Sequence, residues 1–467
     1  MSADQVRAAE PSDTSDAASS MDSAARARAL DAKYGYKGWI TSFPSYGNTL
    51  TNDDGHWRTK LAEHGFGFQI QGVSIAQANL LNTPSKIPSE GYASCGPSNN
   101  GYNCAGGRSY FGQRPGIKFA GTAFLTYDMS QYGVPDGQIA VATNFGVSSD
   151  QQYSANTARI NGISWFQTIF DKKVELKAGY FPTMPEFAGT TVGGLVVNPF
   201  GPSASMPVIF GTTSNNIATP NFRATWRVTD KFYAQTGIQR STPVRGPTGN
   251  TLYDEIKLNP SGLDFNSSVP GTGVLYTNEL GYKRPSKPGI PFAWLRAGVM
   301  HNTSEFKDYS RLLETSTATK NGATGLYILG DYQLTQPLAS QGSAHRGMYI
   351  GGSFMYGDPK VASSTQYYEA RSYWFGPFEN RPSDFLSVVA LHNKTSKYAQ
   401  NVINSFSSRT NFFANKASNS ITASYTYYVR SGLYATFGAG YSDNPSFQYF
   451  KNEGHSLNAL FSLYAVF

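Results

Sequence analysis

Hydrophobic and polar residues alternate with a period of two along most of this chain. The last fourteen residues, GHSLNALFSLYAVF, show it most plainly. Leu457, Ala459, Phe461, Leu463, Ala465 and Phe467 fall on one face of an extended strand. Ser456, Asn458, Ser462 and Tyr464 fall on the other, with Leu460 and Val466. Such alternation belongs to a sheet with one apolar side. Ending on an aromatic suits a strand that closes a membrane sheet and sets its ring at the interface. Taken alone, the stretch also fits the last strand of a soluble β-sandwich.

The same alternation recurs in runs bounded by turn residues. They lie at 65–77, 115–128, 138–148, 161–170, 173–182, 221–229, 231–241 and 273–284. The rest are at 291–304, 323–335, 346–357, 366–376, 383–394, 418–430, 432–442 and 454–467. In 115–128, Ile117, Phe119, Ala123, Leu125 and Tyr127 oppose Lys118, Thr122, Thr126 and Asp128. In 173–182, Val174, Leu176, Ala178 and Tyr180 oppose Lys173, Glu175, Lys177 and Gly179. In 291–304, Ala293, Leu295, Ala297 and Val299 oppose Trp294, Arg296 and Gly298.

The runs number sixteen, and single-chain bacterial barrels carry an even number of strands. Short links at 171–172, 230, 285–290 and 431 alternate with long ones at 78–114, 183–220, 242–272, 305–322 and 395–417. This predicts an all-β fold, a transmembrane antiparallel β-barrel of about 16 strands, with short turns on the periplasmic side. A barrel of that width encloses water rather than a packed core. From Thr183 to Asn221 the alternation breaks in a Gly-, Pro- and Thr-rich insert. Inserts of this length are usually functional, and this one is expected either to fold into the lumen or to form an outer loop.

Ahead of the barrel, 65–467, two segments are expected. Residues 1–36 read as a Ser-, Ala- and Asp-rich disordered tail passing into a helix-compatible stretch, Met21 to Tyr36. Residues 37–64 read as a pre-barrel segment with a short helix in HWRTKLAEHG, capped by Asp53 or Asp54 and ended by Gly65. The first twenty residues show neither the basic nor the apolar region of an export signal.

Composition agrees with a barrel. Charged residues make up 15% of the chain, against roughly 25% in ordinary soluble domains. A mean hydropathy of -0.37 and the absence of a long apolar run exclude a helical span. The net charge of +7 comes from Lys and Arg scattered singly, so no nucleic-acid partner is expected. Cys95 and Cys104 stand in a Gly- and Asn-rich stretch. They are expected to form a local disulfide in an oxidising compartment; two separate thiols are the alternative.

Three stretches carry a family resemblance. DDGHWRTKLAEHGFGFQIQGVSIAQANLLN from Asp53, VELKAGYFPTMPEF at 174–187 and NPSFQYFKNEGHSLNALFSLYAVF at the end resemble, in that order, motifs of the OprB-type carbohydrate-selective porins. The similarity runs from about residue 38 onward. It departs where Asn79 and Asn82 are followed by Thr-Pro-Ser instead of a Gly-Gly pair, and in the Cys95–Cys104 loop. The resemblance implies a bacterial outer-membrane channel for sugars or sugar acids. Phe467 then looks like the signal read by the barrel-assembly machinery. Partners would be outer-membrane lipid and solute, in a monomer or a trimer.

Neither the six His nor any Gly-x-Ser-x-Gly or phosphate-loop pattern suggests catalysis, so no enzyme, metal or cofactor is expected. A channel needs a wet constriction instead. Lumen-side charges by alternation are Lys118, Asp128, Glu175, Lys177, Arg223, Arg227, Glu279, Lys283, Arg296, Asp331, Glu369 and Arg371. Trp165, Trp294 and Tyr233 are candidates to stack on sugar faces. Glu186, opening the insert, is the candidate acidic constriction residue. The plain alternative for each charge is a solvated wall residue. Two other functions remain open at this point, a conduit for exported polysaccharide and a secreted β-rich carbohydrate-binding protein.

Overall fold

The structure is a computed structural model. It describes residues 14–39, 43–81, 110, 112–149, 156–193, 205–214, 217–246, 251–338, 343–410, 412–445, 448–450 and 454–467. Cys95 and Cys104 lie outside the described residues.

Sixteen antiparallel strands close into one barrel. They are β1 (Phe66–Asn79), β2 (Gly116–Asp128), β3 (Gln138–Ser148), β4 (Thr157–Ile169), β5 (Val174–Phe181), β6 (Thr219–Arg227), β7 (Phe232–Arg240) and β8 (Val274–Arg284). The second half is β9 (Ala293–Lys307), β10 (Thr319–Gln333), β11 (Gly347–Gly357), β12 (Ser364–Phe375), β13 (Phe385–Thr395), β14 (Ala417–Arg430), β15 (Leu433–Ser442) and β16 (Ser456–Val466). Every run read from alternation is one of these strands. Two three-residue strands, Phe412–Ala414 and Gln448–Phe450, pair outside the barrel.

Closure joins β1 to β16, from Gln71 opposite Val466 to Asn79 opposite Asn458. Past the strand end, Phe467 and Ile70 exchange both backbone hydrogen bonds, at 2.8 and 3.0 Å. The outer face carries the apolar row of each strand, including Leu295, Val299, Ile421, Val429, Phe437, Phe461 and Leu463, all exposed. That is the lipid face of a membrane barrel. No described helix is long and apolar enough to cross a membrane.

Before β1, helix α1 (Thr14–Tyr34) and the short α2 (Trp57–Glu63) lie at the end that carries the short turns. Helix α1 starts inside the stretch read as a tail, because its Ala-rich sequence favours helix. Asp53 accepts the backbone N–H groups of Arg58 at 2.9 Å and Thr59 at 3.1 Å, and so caps α2. Four further short helices stand between strands: α3 (Ser205–Ile209), α4 (Thr251–Leu258), α5 (Lys397–Ser405) and α6 (Ser407–Thr410).

Strand β5 is short, and β4 runs past its end. There β4 pairs with a loop instead: the Ile160 N–H donates to Ser261 O at 2.9 Å. The Asn259 side chain donates to the Tyr180 hydroxyl at 3.1 Å, and Phe265 packs edge-on to the Tyr180 ring at 5.0 Å. Tyr180, expected on the lipid face, is therefore covered. Residues 259–265 patch the wall where the strand stops.

Candidate functional site

Two segments occupy the lumen. The first is the strap that follows α1. Its carbonyls are taken up by inward side chains: Gln138 Nε2 donates to Gly35 O at 2.8 Å, and Gln69 Nε2 to Pro44 O at 3.0 Å. Tyr36, Trp39 and Phe43 cluster on the inward Phe124 ring, with centroids 4.8 to 6.1 Å from it. Asp31 accepts the Tyr46 N–H at 3.0 Å. Burial pushes its carboxyl up to about 6. Burial likewise holds Lys37 below the usual lysine range. Lys33 pairs with Asp128 at 3.1 Å, so Asp128 anchors α1.

The second segment is the insert between β5 and β6, which folds inward and crosses the lumen as a beam. At its start Glu186 sits between two cations, 2.6 Å from Lys177 and 2.9 Å from Arg223. All three are buried. Gln235 Nε2 donates to Glu186 O at 2.8 Å. Further along, the Arg296 guanidinium donates to Phe187 O at 2.7 Å and also to Gly189 O. The far end reaches the opposite wall, where Val192 packs among Tyr349, Tyr373, Phe375, Phe385 and Val389. On the return, Asn302 donates to Phe210 O at 2.7 Å and Gln239 to Gly211 O at 3.0 Å. An irregular segment inside a barrel must have its carbonyls satisfied by side chains, and these wall residues satisfy them.

The remaining inward charges form two further groups. Glu279 accepts the hydroxyls of Tyr233 and Tyr327, each at 2.7 Å. Both rings lie flat across glycines: a Cβ on Gly281 would collide with the Tyr233 ring, and one on Gly298 with the Tyr327 ring. Next to it along the wall, Arg371 grips Asp331 through Nε and Nη2, each at 2.8 Å. Its Nη1 reaches Glu369 at 2.7 Å. Such bidentate pairs hold both groups in a fixed geometry.

Between strap and beam, at the short-turn end, lies a cavity of about 1160 Å³. Glu175, Arg227, Tyr233, Lys283 and Trp294 line it, with Lys37 and Trp39 from the strap and Thr191 from the beam. Arg227 is bound to Glu175, yet its side chain is 59% exposed. Lys283 and Arg296 flank the Trp294 ring at 4.3 and 3.8 Å from its centroid, within cation–π range. The Trp294 indole N–H donates to the Tyr233 hydroxyl at 3.1 Å, which fixes the ring.

Alternation therefore sorts the candidates by face, and burial sorts them again. Lys177, Glu186 and Arg223 come together, but as a buried clamp on the beam. Arg296 and the Asp331, Glu369 and Arg371 group are also buried. Lys118 stands apart at the long-loop end of β2, opposite Ile75 and Ser148. Trp165 is a correction: it lies on the outer face, 38% exposed beside Ile163. Trp165 and Phe166 are adjacent aromatics on opposite faces, so alternation there does not choose a face. Sequence reasoning passed over Lys37, Trp39, Phe292, Tyr373 and Phe375 as lining residues. For the two strand residues, Tyr373 and Phe375, the signal was their place on the same face as Arg371.

The barrel resembles solved structures of Pseudomonas putida OprB. The high-pH structure superposes with a TM-score of 0.71 at 14% identity, covering 90% of this chain and 98% of that one. The low-pH structure gives 0.51 at 15% identity, covering 91% and 100%. No curated protein matches the chain in sequence. At these identities the likeness concerns fold alone. The sequence itself supplies the rest, because residues 108–458 match the family described as "Carbohydrate-selective porin, OprB family", and the chain belongs to that family.

Proposed function

We propose that sugars and similar small hydrophilic solutes cross this outer-membrane porin by passive diffusion through the space between strap and beam. On the short-turn side they touch Glu175, Arg227, Tyr233, Lys283 and Trp294. The observation that carries this reading is that these five side chains line one cavity with a fixed aromatic face. A pyranose is apolar on its ring faces and polar at its rim. Trp294 and Tyr233 suit the face, and the charged groups suit the hydroxyls. The buried clamp of Lys177, Glu186 and Arg223 acts indirectly, by setting where the beam lies. The concentration gradient drives passage, and no bond is made or broken. A channel of this family is favoured over an export conduit or a secreted carbohydrate-binding protein.

Phe467 presents its ring outward at the closing seam, which supports its role as the residue read by the assembly machinery. Liposome swelling with a panel of sugars tests the solute-contact assignment. Trp294→Ala and Arg227→Ala should lower sugar entry several-fold relative to glycerol. An unchanged sugar-to-glycerol ratio in both variants would remove these residues from the path.

A further inference from the structure

The lipid face carries an amide deep in its apolar band. Asn278 is the fifth of the eleven residues of β8 and points outward between Tyr276 and Leu280, all three exposed. Four residues further on, Tyr282 packs on Phe232 with ring centroids 5.0 Å apart, at the short-turn interface. At about 3.4 Å per residue and a tilt of about 40°, Asn278 stands about 10 Å above those rings, near the middle of a band about 25 Å tall. The outward amides Asn321, Gln366 and Asn419 each lie third from the long-loop end of their strands, where water is close.

Asn278 Oδ1 accepts the Thr236 hydroxyl at 2.8 Å, and its Nδ2 has no partner among the described residues. One diagonal step toward the long loops, His301 Nδ1 meets Thr324 Oγ1 at 2.9 Å, and its Nε2 is likewise without a partner among them. His301 is opposite Tyr276 and Asn278 is opposite Val299, so the two polar groups are neighbours on one face. Hydrocarbon offers neither a hydrogen bond, whereas a second protein surface does. The apolar relief beside them also matches itself. Leu280 is 69% exposed and stands between Ala234 on β7 and Ala297 on β9, a knob with a shallow hollow on each side.

We infer that the outer face of β7–β10 joins two copies of this chain about a twofold axis along the membrane normal. Both copies insert with the same end outward, so such an axis brings residues of equal depth together. Asn278 then faces the partner's Asn278. A carboxamide is complementary to itself: each Nδ2 donates to the other's Oδ1, which has a second lone pair beside the one Thr236 uses. A twofold contact joins one patch to itself, whereas a threefold ring sets Asn278 against a different patch and leaves that complementarity unused. The Leu280 knobs seat beside one another in the alanine hollows. The contact lies on the outside of the wall and is independent of which solute passes within.

The test counts copies in the membrane. The full chain, carrying one fluorophore at its N-terminus, is reconstituted at high dilution in lipid and bleached molecule by molecule. The native chain should bleach in two steps. Asn278→Leu, which gives lipid an apolar side chain, should cut the two-step fraction several-fold while keeping the heat-modifiable gel mobility of a folded barrel. In a chain with Cys95→Ser and Cys104→Ser, Asn278→Cys should be linked into dimers by a short bifunctional maleimide. Leu463→Cys on β16, eight strands away around the ring, should not. One-step or three-step bleaching of the native chain, a two-step fraction unchanged in Asn278→Leu, or equal linking at both positions would each overturn the inference.

Discussion

Replacing Glu186 with Gln removes one negative charge from between two buried cations and keeps the side-chain shape. Glu186 lies 2.6 Å from Lys177 and 2.9 Å from Arg223, all at 1% exposure or less. At an effective dielectric near 20, each contact is worth roughly 6 kcal/mol of Coulomb attraction, much of it offset by desolvation. Removing one partner of such a buried set costs about 3–5 kcal/mol, because the cations stay behind uncompensated. That shifts the equilibrium between docked and undocked beam by a factor of roughly 10² or more. The Tyr36 hydroxyl, 3.0 Å from Lys177, compensates only in part. The anchors around Arg296 are untouched. These charged hydrogen bonds contribute about 1.5–3 kcal/mol each, so the β9 end of the beam stays in place. Only side chains of β5 and β6 meet the Glu186 carboxylate; the backbone pairing of the barrel does not involve it, so the barrel should keep its heat-modifiable gel mobility. In planar bilayers, Glu186→Gln should show larger, noisier single-channel currents and weaker block by sugar, and the beam should become open to protease. Native currents, native sugar block and native protease resistance together would refute the clamp.

Docking of the strap should depend on pH through Asp31. Burial raises its pKa from the ordinary 3.8 to about 6, so its contribution is full below about pH 4 and lost as pH rises through 6. The swing is about 3 kcal/mol at most. Hydrogen exchange of residues 35–48, corrected for intrinsic rates, should show more protection at acid than at neutral pH, and Asp31→Asn should erase the difference. Deleting Phe467 removes two backbone bonds to Ile70, each contributing about 1 kcal/mol, and the aromatic end of the seam. It should lower the yield of folded barrel in the membrane, and a changed conductance in the barrels that do assemble would contradict that assignment.

The strands were legible because one face of each meets lipid and the other meets water or the lumen. Lys177, Glu186 and Arg223 show where that legibility ends. Alternation says that Lys177 and Arg223 point inward, and a break in it singles out Glu186. It does not say that the insert will fold over them and make them a clamp instead of a solute contact. That depends on contacts between residues 9 to 46 positions apart, and period-two patterns carry no such information. Tyr180 fails for a related reason: its cover, residues 259–265, comes from a distant loop. Helices α3, α4 and α5 have five, eight and nine residues, too short for their own periodicity to stand out from loop sequence.

The wall is also uneven in height. Strand β5 has eight residues and β6 nine, whereas β9 and β10 have fifteen each. At about 3.4 Å per residue and a tilt of about 40°, β5 rises about 21 Å and β9 about 39 Å. The apolar band of such barrels is about 25 Å tall. The β5–β6 sector is therefore lower than the hydrocarbon it faces, and Leu263 and Phe265, exposed on the patch, extend its apolar surface. Hydrophobic mismatch falls on one side of the circumference only. Lipid against that side thins, or the barrel axis leans toward it, and the lean carries the mouth of the channel off the membrane normal.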